Sequence, residues 1–224
     1  MAFDLLTNSN YDDLRDAIVR GDLGPNAPLV ESDVATAFQM SRGEVRTALI
    51  RLEQEGLVVR EPHRSARVRQ ISDEEAVEIL EARAVLEGLA VRQTAQRLDE
   101  EGIERVQACL ARHRALLEAG DLLGASDANA DLHALLLAAS GHRTAIRLIH
   151  ALNSQTVRYQ YRTILIPGRP NASVAEHEAI VEAVVGGRPD EAEDAMRRHL
   201  FNVAQAVQRG LLPGGIDKAS RGVL

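Results

Sequence analysis

Ser41-Arg42-Gly43-Glu44-Val45-Arg46-Thr47-Ala48-Leu49, running directly into Ile50-Arg51-Leu52-Glu53-Gln54-Glu55-Gly56-Leu57-Val58, is the stretch whose reading decides the fold. Ser41 can cap a helix by accepting a backbone N–H bond, and Val45, Ala48, Leu49 and Leu52 then recur at helical spacing to make one buried face. Arg42 and Arg46 lie four residues apart, on one exposed side. Gly56 ends the helix, and a β-prone run follows. Two guanidiniums projecting together near a helix N-terminus suit the major groove of duplex DNA, where Arg can pair bidentately with guanine O6 and N7.

Working outward, Asn10 can cap a helix through about Arg20 with Tyr11, Leu14, Ala17 and Ile18 inside, and Gly24-Pro25-Asn26-Ala27-Pro28 reads as a turn. A second short helix is expected from Ser32 to Phe38. Beyond the recognition helix, Leu57-Val58-Val59-Arg60 and Ala66-Arg67-Val68-Arg69 are strand-like runs around the polar turn Glu61-Pro62-His63-Arg64-Ser65. These elements make a winged helix-turn-helix. From the capping box Ser72-Asp73-Glu74-Glu75 onward every periodic segment is helical, with helices expected near 73–98, 100–119, 121–139, 142–165, 174–185 and 190–209. Ser173 with Glu176 is a further capping box. The fold class is therefore mainly α: an N-terminal winged helix-turn-helix with a small β-wing, then an antiparallel α-helical bundle whose interior can hold a ligand or metal. The expected boundaries are a DNA-binding domain at 1–70, a helical effector-binding, metal-binding and dimerisation domain at 71–212, and a flexible tail at 213–224.

Composition bounds the function. With 45% apolar residues in 224, the chain can bury two modest cores. No run approaches the roughly 20 apolar residues of a membrane span, and the N-terminus lacks a signal-peptide pattern, so a cytoplasmic protein without membrane partners is expected. Cys109 is the only cysteine, which excludes an internal disulfide and a thiolate metal cluster. Aromatic residues make up only 3% and Trp is absent, which disfavours a base-stacking platform for single strands. The net charge of −7 argues against a nucleic-acid partner until its distribution is read. Residues 42–69 carry seven arginines against four glutamates, so the acidic excess lies elsewhere.

The N-terminal part resembles the winged-helix domain of the GntR family of bacterial transcription regulators. The matching features are Tyr11-x-x-Leu14-Arg15, Leu29-Val30-Glu31, Ser41-Arg42-x-x-Val45-Arg46-x-Ala48-Leu49, Leu52-Glu53-x-Glu55-Gly56-Leu57-Val58 and Arg64. The C-terminal part resembles the FCD ligand-binding domain of the FadR subfamily, through Arg83-Ala84-Val85-Leu86-Glu87, Leu132-His133-x-x-Leu136, Glu176-His177-x-x-Ile180 and Met196-Arg197-Arg198-His199-Leu200. Together the matches run from about residue 10 to 208. The resemblance implies DNA contacts from Ser41, Arg42 and Arg46, with Arg64 of the wing reaching the minor groove or backbone and His63 beside it. The chain departs from the family pattern at Glu44, Thr47 and Ser65. Glu44 lies on the groove side, where it could accept from cytosine or repel phosphate.

Three of the seven histidines, His133, His177 and His199, fall on bundle helices whose order can bring them to one site. Three imidazoles plus one oxygen suit Zn²⁺, Ni²⁺ or a similar divalent ion. By spacing alone, scattered histidines are more often surface or hydrogen-bonded core residues. The FCD resemblance implies a ligand set of Asn129, His133, His177 and His199, with Asn129 one helical turn before His133 where the family more often has Asp. The neutral amide would leave the ion more positive charge with which to attract a small organic acid as effector, for which Arg83 and Arg158 are candidate partners, although Arg83 can equally pair with Glu87 one turn later. The expected protein is a homodimeric regulator that reads a pseudo-palindromic operator in duplex DNA and has no catalytic residues. Alternatives are a metal-dependent enzyme, with Glu176 or Glu178 as a base, and a regulator for which the metal ion is itself the signal.

Overall fold

The computed structural model describes residues 9–61 and 64–210, without the side chains of 9, 157–162 and 210. His63 and the tail expected at 213–224 lie outside the described residues, as does the side chain of Arg158. Among the described residues there are nine helices and one three-stranded antiparallel sheet. The expected mainly α fold with a small β-wing is observed. The chain divides into two compact units, residues 1–71 with 153–158, and residues 72–152 with 159–224.

The first unit contains α1 (Ser9–Arg20), β1 (Pro28–Leu29), α2 (Glu31–Ala37), α3 (Arg42–Gln54), β2 (Val58–Val59) and β3 (Ala66–Val68). The sheet order is β1-β3-β2, with Leu29 opposite Ala66 and Val58 opposite Val68. β1 falls where the sequence reads as turn and linker. Two residues are too few to show a period, and Pro28 is compatible with a sheet only on an edge strand, which is where it sits. Asn10 lies inside α1, not at its cap, and its side chain donates to Gln39 O at 3.3 Å. Val45, Ala48, Leu49 and Leu52 of α3 are all buried, joined in one core by Tyr11, Leu14, Ile18, Leu29, Leu57 and Val68. Gly56 ends the helix with φ +73°, a conformation that a β-carbon would strain.

The second unit is built from α4 (Asp73–Arg97), α5 (Glu100–Glu118), α6 (Leu122–Ser140), α7 (Arg143–Ile164), α8 (Arg169–Val185) and α9 (Pro189–Gly210). Ser72, Asp99 and Asp121 each cap the helix that follows by accepting from the backbone N–H three residues on. Its main core joins α4, α5, α6, α8 and α9 through Val91, Val106, Leu132, Leu136, Ile180, Met196 and Leu200. A smaller cluster holds Ala145 and Ile149 of α7 against Ala90 and Leu137.

α8 corrects the expected capping box at Ser173 and Glu176. The helix begins four residues before Ser173, at Arg169, after Gly168 in the left-handed region and with Pro170 in its first turn. Proline reads as a breaker in sequence, yet in the first turn its missing N–H has no partner to lose and its fixed φ suits the helix. Glu176 is thereby placed inside α8, free for another task. No helix among the described residues is long and apolar enough to cross a membrane.

Candidate functional site

Two groups of side chains stand out, one in each unit. On α3, Ser41, Arg42, Glu44 and Arg46 are all exposed. Ser41 and Glu44 form a reciprocal capping box: the Ser41 hydroxyl accepts from Glu44 N at 3.3 Å and the Glu44 carboxylate accepts from Ser41 N at 2.7 Å. Those two bonds hold the Glu44 carboxyl below the usual glutamate value. Glu44 is thus engaged by the helix end, a role that the sequence reading did not assign it. Arg42 makes no ion pair among the described residues. Arg46 donates its Nε to both oxygens of Glu31, at 3.1 and 2.9 Å. On the wing, Arg64 is exposed and pairs with Glu61 at 2.6 Å.

The second group lies inside the bundle. α6 carries His133, α8 carries His177 and α9 carries His199, each less than 10% exposed. Their ring nitrogens converge: His177 Nε2 is 3.2 Å from His133 Nε2 and 3.3 Å from His199 Nε2. One ligand atom from each of the three lies within 4.8 Å of the others, so this set can hold a metal ion.

The other nitrogen of two rings is taken by a carboxylate. His133 Nδ1 lies 2.8 Å from Glu87 Oε2, and Glu87 Oε1 accepts from Arg83 Nε at 2.7 Å. His199 Nδ1 lies 2.7 Å from Glu176 Oε2. Glu176 in turn receives a fork from Arg169, at 2.9 and 2.6 Å, and a bond from Asn202 Nδ2 at 2.8 Å. Burial acts to raise the Glu87 carboxyl, but the charges and hydrogen bonds of Arg83 and His133 outweigh it and hold the group at about 2. The same contest at Glu176, with burial opposed by His199 and Arg169, also ends at about 2. Burial lowers His199 to about 4 despite Glu176 and pushes His177 well below its usual value. His177 and His199 are thereby held as neutral imidazoles, with an ionised Glu176 beside His199.

This donor chemistry fits a divalent ion. A carboxylate at Nδ1 favours the tautomer that carries its hydrogen there, so in its neutral form each of His133 and His199 turns an Nε2 lone pair toward the site. His177 Nε2 can donate at most one hydrogen to one of them. At least two Nε2 lone pairs therefore converge on the space between the rings, with at most one hydrogen to share, an arrangement that a cation can take up. Tetrahedral Zn²⁺ with nitrogen at 2.0–2.1 Å would separate neighbouring ligand nitrogens by about 3.3 Å. The observed 3.2 and 3.3 Å match that spacing.

Asn129 stands on α6 one turn before His133, half-buried, and its side chain makes no hydrogen bond among the described residues. Arg83 is 15% exposed and held by Glu87. Glu178 pairs with Arg114 outside the three-histidine set. Sequence reasoning missed Arg169 and Asn202 and mistook Glu176 for a cap. The available signals were the Arg83-to-Glu87 spacing of one turn and the adjacency of Glu176 to His177.

The FCD domain family matches residues 78–202, and the family described as bacterial regulatory proteins, gntR family, matches residues 6–68. The chain is 29% identical over 206 residues to the probable D-xylose utilization operon transcriptional repressor of Paenarthrobacter nicotinovorans, covering 90% of this chain and 88% of that protein. It is 27% identical over 199 residues to the HTH-type transcriptional repressor RspR of Escherichia coli (strain K12), covering 89% and 87%. The fold is similar to that of E. coli McbR/YncC, with a TM-score of 0.73 at 20% identity, covering 89% of this chain and 96% of that one. The families and the relatives that match are transcriptional regulators, not enzymes. With a GntR match over the winged helix and an FCD match over the bundle, the chain belongs to the GntR family of DNA-binding bacterial transcriptional regulators, as a FadR-like member.

Proposed function

We propose that this regulator is a cytoplasmic homodimer whose operator affinity is set by a small carboxylate bound at a divalent metal, Zn²⁺ or Ni²⁺, in the helical bundle. The observation that carries the reading is the convergence of three buried Nε2 atoms, two of them on rings whose Nδ1 is held by a carboxylate. His133, His177 and His199 would hold the ion, with the amide oxygen of Asn129 as an added ligand. An amide is neutral, so the centre keeps more positive charge than with a carboxylate in that place. The ion supplies a Lewis-acidic docking point for an anion. Arg83 has two terminal nitrogens without a hydrogen bond among the described residues and is the nearby partner for a carboxylate, and Arg158 is the second candidate.

On the DNA side, Arg42 and Arg46 enter the major groove, Ser41 contacts phosphate beside the helix N-terminus, and Glu44 sets the N-terminal geometry from the same edge. Arg64 and His63 work from the wing. Two copies related by a two-fold axis would place two recognition helices on a pseudo-palindrome.

The test is elemental analysis of the purified protein, followed by operator binding with and without chelation and with a panel of small mono- and dicarboxylates. The reading expects about one divalent ion per chain and a carboxylate-dependent change in operator affinity that chelation abolishes. Loss of all DNA binding on chelation, without any carboxylate response, would make the ion itself the signal and overturn the effector reading. His177→Ala that keeps stoichiometric metal would remove the site.

A further inference from the structure

The three histidines are not equivalent. His133 and His199 each hand their Nδ1 hydrogen to a buried carboxylate, whereas the Nδ1 of His177 has no hydrogen-bond partner although the residue is fully buried. Binding an ion through Nε2 requires that His177 carry its hydrogen on Nδ1. A buried donor of that kind needs an acceptor, and ligating histidines almost always have one. The same neighbourhood contains a second buried nitrogen without a partner, Nδ1 of His113 on α5. His113 is 4% exposed, and its ring lies 5.3 Å from that of His177, tilted by 53°. A neutral imidazole keeps one acceptor nitrogen beside its one N–H donor.

We propose that His113 is a positioning residue of the metal centre, its Nδ1 taking the hydrogen bond from His177 Nδ1–H, directly or through one water. The inference rests on the metal reading above. It completes the outer shell with one contact to each ligand: Glu87 behind His133, Glu176 behind His199, His113 behind His177. It also makes the third contact different in kind. A neutral imidazole withdraws less of the ligand's proton than a carboxylate does, so His177 is the least basic of the three ligands and the one released most readily. α8, which carries it, is then the helix whose hold on the ion is easiest to change.

The experiment is Zn²⁺ affinity by competition with a chromogenic chelator, for the wild type, His113→Phe and His113→Gln, with the visible absorption of the Co²⁺-loaded forms recorded alongside. Phe fills the space without an acceptor; Gln restores an acceptor oxygen. Expected is a loss of roughly tenfold or more for His113→Phe, with a changed Co²⁺ spectrum, and recovery toward wild type in His113→Gln. Equal affinities in all three proteins overturn the proposal, and so does an equal loss in both variants, which would mean packing alone. A wild type that takes up no Zn²⁺ overturns the metal reading itself, an outcome recognisable before any variant is made. If His113→Phe does not fold, ¹⁵N-histidine NMR of the Zn²⁺-loaded wild type decides: the proposal expects hydrogen on Nδ1 of His177 and on Nε2 of His113. Hydrogen on Nδ1 of His113 overturns it.

Discussion

Arg46 points its Nε at both carboxylate oxygens of Glu31, 3.1 and 2.9 Å away, so the guanidinium leaves α3 already oriented by α2. Both side chains are well exposed, and such a pair adds little to stability. On the proposed DNA contact its value would lie in geometry: with Nε occupied, the two terminal nitrogens would be left to face a base edge.

Glu31→Ala is therefore expected to lower specificity more than binding. Removing a carboxylate near DNA raises affinity for random duplex, while a freely rotating Arg46 loses part of the roughly 1–3 kcal/mol that a bidentate base contact supplies. The measure is the ratio of dissociation constants on operator and random duplex at one salt concentration. A ratio unchanged from wild type would show that the pair is only a surface contact.

Glu176→Gln keeps the size of the side chain but removes the charge that faces His199 and Arg169. Metal affinity is expected to fall about 10–100-fold, the usual cost of losing such an outer contact. Competition with a chelator of known affinity checks it. An unaltered constant would separate Glu176 from the centre.

Acid should destabilise the metal-free protein. His177 and His199 titrate below their ordinary value in the fold, so the unfolded chain binds protons first as pH falls through about 6.5. Stability is complete above that pH and declines toward pH 4, where His199 itself titrates. Glu87 and Glu176, held at about 2, act with the same sign and extend the loss below pH 4.5. Thermal midpoints of chelator-treated protein should stay level from pH 8 to about 6.5 and fall steadily from there to pH 4.5. A flat profile would contradict the buried neutral histidines.

Asn129→Asp tests the fourth position. If the amide oxygen faces the ion, a carboxylate in its place binds a divalent cation more tightly, and the affinity should rise. No change would leave Asn129 a bystander on α6.

Much of this organisation was legible in the linear order of residues. The α3 stripe of Val45, Ala48, Leu49 and Leu52 reads directly as a buried face because a helix repeats every 3.6 residues, and Gly56 as its stop because few other residues accept a positive φ. β1 was not legible, since two residues carry no period and the partner of Pro28 lies 39 residues away at Arg67. The Pro170 turn read as a break for the opposite reason: the same residue that ends one helix can begin another.

What the sequence determined alone was local: which segments are helical, which faces are apolar, and which residue types are available to each helix. Periodicity and capping act over a few residues, so they survive translation into one dimension. The roles of Glu87, Arg169, Glu176 and His113 depend instead on contacts between α4, α5, α6, α8 and α9, across separations of 46 residues for Glu87 and His133 and 23 for Glu176 and His199. No periodic pattern encodes such contacts. Only the packed bundle, by burying three imidazoles against one another and assigning two of their protons to carboxylates, decides that scattered histidines form one centre.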